Sequence, residues 1–229
     1  MATELIDFLQ HNGRSFAERL GKDRWYLVVL SALTTGNHFA IAGGAIFKYA
    51  TSQLEYASRE QRQYLVERLR EVLTKSIFVI GIPKSLESMI SLAKEIDDVD
   101  IDNSIRSRLS PEETKARGDK LNDRIYQGEA DAVFRLLEPH PDFMFAMMDI
   151  GYGMFFSDDS VLTNVESEIA LLASLVVQNT PIEIDSHTKG LSRQGLDYSI
   201  IDQIMAVSEE MAAYMRLNAR KSLEYSTAL

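Results

Sequence analysis

The chain has 229 residues, a formal net charge of −10, no Cys, and only 12 Gly and 5 Pro, while 45 % of its residues are hydrophobic. An acidic surface repels phosphate backbones and anionic lipids, so neither nucleic acid nor membrane is expected as a partner. The absence of Cys removes disulfides, thiolate metal ligands and thiol catalysis together, and it leaves the redox compartment open.

Sparse Gly and Pro favour long helices. Residues 3–20 read as a helix studded with Glu4, Asp7, Arg14, Glu18 and Arg19. No uninterrupted apolar region of a secretory signal fits there, and an intracellular, cytoplasmic and soluble protein is expected, with an organelle left open. Between Arg24 and Lys48 there is no Asp, Glu, Lys or Arg. That length could span a bilayer, but Thr34-Thr35-Gly36-Asn37-His38 breaks it. Two buried helices over 23–35 and 39–53 are the better reading, with His38 a buried, hydrogen-bonded residue between them.

A capping box, Ser58-x-x-Gln61, opens a helix over 59–80, and another helix follows over 84–96. The acidic stretch 95–104 is a candidate boundary between an N-terminal unit, 1–98, and a C-terminal unit, 99–229; it reads equally as a solvated loop within one compact domain. Ser110-Pro111-x-Glu113 opens a helix over 111–127, followed by helices over 129–138 and 141–156. From Asp142 to Phe156 the sequence holds Met144, Met147, Met148, Met154 and four Phe, apolar around most of the circumference. Such a helix is expected to be buried on all sides, inside the domain or at a subunit contact. Thr163-x-x-Glu166 opens a helix over 164–178, and helices over 182–194 and 198–224 complete an all-α chain with no competing strand.

Arg68 to Asp97 can be laid on Glu166 to Gly195 without a gap, which matches Pro83 with Pro181 and Gly81 with Asn179. Each copy reads as a long apolar helix, a turn and a second helix. Where the second copy has Glu168, Glu183 and His187, the first has Arg70, Ser85 and Met89, so the polar set sits in the second.

Within that set, Thr180, Glu183 and His187 fall three and four residues apart and share one helix face. Glu183 could accept a hydrogen bond from one ring nitrogen of His187 and leave the other for proton transfer. Glu168 lies roughly 18 Å before Thr180 along a helix, and His187 roughly 10 Å after it. A plain antiparallel hairpin leaves the two out of level, to meet only through side-chain reach, a crossing angle or a water. No spacing of His, Asp and Glu matches a zinc or di-iron helix motif, so no metal is expected. A His with Glu at i−4 is also an ordinary surface or core pair.

Glu168-x11-Thr180-x2-Glu183-x3-His187 resembles the Glu-x11-Cys-x2-Cys-x3-His pattern of the carboxymuconolactone decarboxylase / alkylhydroperoxidase D-like family, with Glu and His kept and both cysteines replaced. Leu73-Thr74-Lys75-Ser76, Gly81-Ile82-Pro83-Lys84, His140-Pro141-Asp142, Tyr152-Gly153 and Ser157 to Leu162 extend the likeness over about residues 25–215, to two-repeat, fungal-type members. The resemblance implies an alkylhydroperoxidase D-like bundle built from two degenerate helical hairpins, and a homo-oligomer. It also implies a cofactor-free lyase, decarboxylating or isomerising a small organic acid or lactone. His187 would then be the general acid/base, Glu183 its orienter and Glu168 a relay. Lys75, Lys84, Tyr152, Trp25 and Thr180 would contact substrate. Without the two cysteines, thiol peroxidase chemistry is not expected. The alternative is a non-catalytic helical protein that kept the fold to bind a small molecule or build an assembly.

Overall fold

Local sequence fixes three of the helix starts by capping. Ser58, Ser110 and Thr163 each accept a hydrogen bond from the backbone three residues on, and Gln61, Glu113 and Glu166 reach back to complete three capping boxes. The computed structural model describes residues 2–101 and 109–226, with side chains as far as residue 216. In chain order it contains α1 (Ala2–Leu20), α2 (Trp25–Thr35), α3 (Phe39–Thr51), α4 (Arg59–Ile80), α5 (Ile82–Ala93), α6 (Pro111–Tyr126), α7 (Asp131–Leu137) and α8 (Pro141–Met144). A π-helix (Phe145–Phe156), α9 (Asn164–Gln178), α10 (Pro181–Arg193) and α11 (Tyr198–Ser226) follow. Short 3₁₀ turns lie at Leu54–Tyr56 and Asp98–Asp100. The described residues are all-α and include no strand, in agreement with the sequence reading.

The uncharged stretch after Arg24 forms the centre of the molecule. Every residue of α2 is buried, and α2 packs against α3, α4, α9 and α11. Among the described residues no helix is long and apolar enough to cross a membrane. His38, at the α2–α3 turn, is buried as expected, but its Nδ1 has no hydrogen-bond partner.

The hairpins α4–α5 and α9–α10 both turn on a residue of positive φ two positions before a proline, Gly81 (φ 86°) and Asn179 (φ 57°). The following proline lacks the N–H that a first helical turn leaves unpaired, so turn and helix start are encoded together in both copies. Both α4 and α9 lie on α2 and on each other. The acidic link is largely exposed where it can be followed, with one anchored residue. Asp100 is buried and accepts hydrogen bonds from Arg62 Nε at 2.7 Å and Nη2 at 3.1 Å. Residues 102–104 of that link lie outside the described residues.

The segment 141–156 differs most from expectation. Only Pro141–Met144 is α-helical, and the rest winds as a π-helix whose end is marked by Ser157 N–H donating to Tyr152 O at 2.9 Å. A run that is apolar on every side carries no 3.6-residue period, so its sequence could not specify this rarer winding. Nor is it buried all round. One side meets α6 backbone to backbone, so close that a Cβ on Gly118 would stand 2.7 Å from Gly153 Cα. The other side is open, with Phe143 and Phe145 each 57 % exposed.

Candidate functional site

The site is built on α9, α10, α6 and the π-helix. On α9, Ile169, Leu172 and Ala173 are fully buried in the core, and the adjoining Glu168 is buried as well. On α10, His187 is 4 % exposed. Arg193 ties the end of α10 to α6 by donating to Ile125 O at 2.6 Å, and it pairs with Glu129. Glu168 Oε1 lies 2.6 Å from His187 Nδ1. A glycine permits this: a Cβ at Gly190, one turn beyond His187, would meet Ile125 Cγ2 at 2.8 Å and Glu168 Oε1 at 3.1 Å.

A carboxylate on Nδ1 selects the tautomer in which Nδ1–H donates and Nε2 keeps its lone pair. Nε2 faces the hydroxyl of Tyr126 at 3.3 Å, and that hydroxyl lies 2.7 Å from the hydroxyl of Tyr152 on the π-helix. Burial is the main cause that pushes the Tyr126 phenol up to about 12; the Tyr152 hydrogen bond acts against it, and the Glu168 and Glu183 carboxylates add to it. Burial also raises the Tyr152 phenol well above its ordinary value. Both phenols are therefore neutral hydrogen-bonding groups near neutral pH. The result is a continuous polar line, Glu168–His187–Tyr126–Tyr152, walled by Phe134 and Phe156, whose rings lie 6.4 Å from Tyr126 and 5.8 Å from Tyr152.

The residues singled out in the sequence divide sharply. Glu168, His187 and Tyr152 come together. Glu183 is exposed at the start of α10, and the carboxylate within hydrogen-bond distance of His187 Nδ1 is Glu168. Thr180 donates through Oγ1 to Leu175 O at 3.4 Å and closes the end of α9. Lys75 is buried, directed at Asp158 O and Ser167 Oγ, each at 2.6 Å, and paired with Glu71 at 3.4 Å. Its ammonium protons are thus engaged in tying the end of the π-helix to α9. Lys84 donates to Thr35 O at the end of α2. Trp25 is a core residue, edge-on to Tyr26 and Tyr49. Tyr126 and Gly190 were not singled out. Tyr126 follows no motif spacing and is recruited from α6 by packing alone.

Among the described residues no group of three or more His, Asp or Glu is placed to hold a metal ion. An open cleft of about 310 Å³ between α1, α3 and α5 is lined by Ile6, Ile41, Lys48, Ile90 and Lys94 and touches none of the polar line.

An all-α hairpin protein with a buried Glu–His pair on its second hairpin, and no cysteine, is the class that fold and site define. Residues 141–224, which carry His187, match the carboxymuconolactone decarboxylase family, the same family that the Glu168-to-His187 spacing resembles. The chain is also similar to "Peroxisomal protein 2" of Schizosaccharomyces pombe, 26 % identical over 129 residues, which covers 56 % of this chain and 61 % of that relative. The match thus spans less than two thirds of the relative's length. No solved structure matches the chain.

Proposed function

We propose that this chain is a cofactor-independent acid/base enzyme that decarboxylates or isomerises a small carboxylated or lactone substrate. The observation that carries the reading is the buried 2.6 Å hydrogen bond from His187 to Glu168 within the family-matched segment. A buried carboxylate holds the imidazole in one tautomer and offsets the charge it gains on protonation, which is what a proton-transferring His requires. His187 is the acid/base and Glu168 its orienting partner; Lys75, Lys84 and Trp25 serve the fold. The name of the fission-yeast relative extends the proposal to a peroxisomal location.

One observation favours an assembly role alongside catalysis. Phe143 and Phe145 on and beside the π-helix, and Leu136 on α7 (76 % exposed), leave large apolar side chains open. An exposed apolar cluster of this kind marks a contact surface, here with a second copy of the chain.

A screen of small carboxylates and lactones against wild type and His187→Gln tests the reading. Turnover by the wild type that is lost in the variant supports it. Equal rates in the two, or no turnover of any member of the panel, would overturn it.

A further inference from the structure

The imidazole nitrogen that should meet a substrate is already occupied. His187 is buried, and its Nε2 faces the Tyr126 hydroxyl at 3.3 Å, while Tyr126 itself is only half-buried. Of the two groups, the phenol is carried by the less deeply buried residue. We propose that Tyr126 Oη is the atom that exchanges a proton with the substrate, as the outer member of a Glu168–His187–Tyr126 triad, with Tyr152 as its positioning residue. This rests on the acid/base reading of the Glu168–His187 pair and adds the group through which that pair acts.

Hydrogen-bond inventory supports the assignment. A phenolic oxygen has one donor and two acceptor positions. Tyr126 donates to His187 Nε2, whose lone pair faces it in the tautomer chosen by Glu168. It accepts from Tyr152 at 2.7 Å. One lone pair is left. The substrate must therefore present a proton to it, which suits a compound with an acidic C–H beside a carbonyl. In the step, the substrate C–H bond breaks and its proton forms a new bond to Tyr126 Oη. The proton already on Tyr126 passes to His187 Nε2, giving an imidazolium held by the Glu168 carboxylate. The electron pair of the C–H bond stays on the substrate as an enolate. Reversal of the shuttle returns the proton to another carbon. No oxidant, reductant or phenolate of independent existence is needed, and a phenol that burial keeps neutral is used only in concert with the imidazole. The O–H of Tyr152 stabilises whatever charge gathers on Tyr126 oxygen during transfer.

An activated phenol can be read without a known substrate. N-Acetylimidazole acylates tyrosine: the Oη–C bond forms, the C–N bond to imidazole breaks, and the phenolic proton leaves through the base. With peptide mass spectrometry as the readout, Tyr126 of the wild type is expected to be acetylated faster than Tyr64 and Tyr198, which are more exposed at 44 % and 55 %. General-base assistance sets the expected loss in His187→Gln and in Glu168→Gln at about tenfold or more. Tyr152→Phe, which keeps the ring, should slow acylation severalfold with the melting temperature little changed. A Tyr126 that reacts no faster than Tyr64 and Tyr198, or not at all, overturns the proposal by the wild-type comparison alone, since an atom closed to this reagent is closed to a substrate. A fast reaction indifferent to both triad variants overturns it too. The lactone screen fails or succeeds independently: activated Tyr126 with no lactone turnover removes the reaction class and leaves the triad, whereas turnover with an inert Tyr126 removes the triad's outer member.

Discussion

Glu168 and His187 are 19 residues apart in sequence and 2.6 Å apart in space, across a hairpin whose two arms differ in length between them and the turn. Glu168 stands twelve residues before Thr180 and His187 seven after it, a mismatch of roughly 7 Å in helical rise. The long side chain of Glu168 bridges it by lying over Gly190, the one position on α10 where the absence of a Cβ leaves room for the carboxylate.

If the pair transfers protons, Glu168→Gln should be far more damaging to turnover than to folding. The amide keeps the shape and still accepts from Nδ1–H, but it cannot neutralise an imidazolium. Turnover of any lactone or carboxylate accepted by the wild type should fall about 10²- to 10⁴-fold, the usual range for an acid/base contribution. Steady-state rates in wild type and variant provide the measurement; equal rates would leave Glu168 with a packing role only.

Gly190→Ala should loosen the same contact from the other side. Replacing a mid-helix glycine by alanine ordinarily stabilises by about 0.5–1 kcal/mol. Overpacking a filled site costs about 1–3 kcal/mol, and here the new methyl meets both buried Ile125 and the Glu168 carboxylate. A net loss on the order of 1 kcal/mol is expected in urea unfolding, together with reduced turnover. A gain in stability would show that Ile125 moves aside.

Lys75 is placed as a structural cation. Removing one partner of a buried ion pair costs about 3–5 kcal/mol, so Lys75→Met should shift the urea midpoint strongly. A substrate-binding lysine would behave otherwise, raising KM while sparing stability.

His38 predicts a pH dependence. Burial, the main cause, holds its imidazole below the ordinary 6.5, and its Nδ1 has no partner. A histidine whose folded value is depressed leaves the unfolded chain binding more protons between the two values. Stability from this residue is thus fully present above about 6.5, and falls as pH drops from there toward the folded value. His38→Gln removes that component. The loss of stability between about pH 7.5 and about pH 5.5 should be smaller in the variant than in the wild type, as measured by urea unfolding at the two values.

The open apolar face predicts self-association. Light scattering at micromolar concentration should give a mass above the 25.8 kDa of one chain, and Phe145→Asp should lower it by placing a charge in the contact. A monomeric wild type would end this reading.

Features that act over a few residues can be read from the chain alone. Capping at Ser58, Ser110 and Thr163, the prolines after Gly81 and Asn179, and the uncharged run from Trp25 to Phe47 each act within a few residues or through plain burial, so helix starts, the hairpin turns and the core helix α2 were legible. Family spacing brought Glu168 and His187 into view as well. Tertiary structure alone decided which groups touch. Glu183 and Glu168 are chemically alike, and the nearer one in sequence points to solvent because hairpin packing, not spacing, chooses the face that meets α6. Lys75 and Tyr152 looked equally available, yet one is consumed within the protein and the other joins the polar line. The π-winding of Phe145–Phe156 and the arrival of Tyr126 at His187 Nε2 depend on how α6 and that helix close on each other through Gly118 and Gly153. That contact lies between residues 35 positions apart, a separation over which no local propensity acts, so it is settled only when the chain has packed.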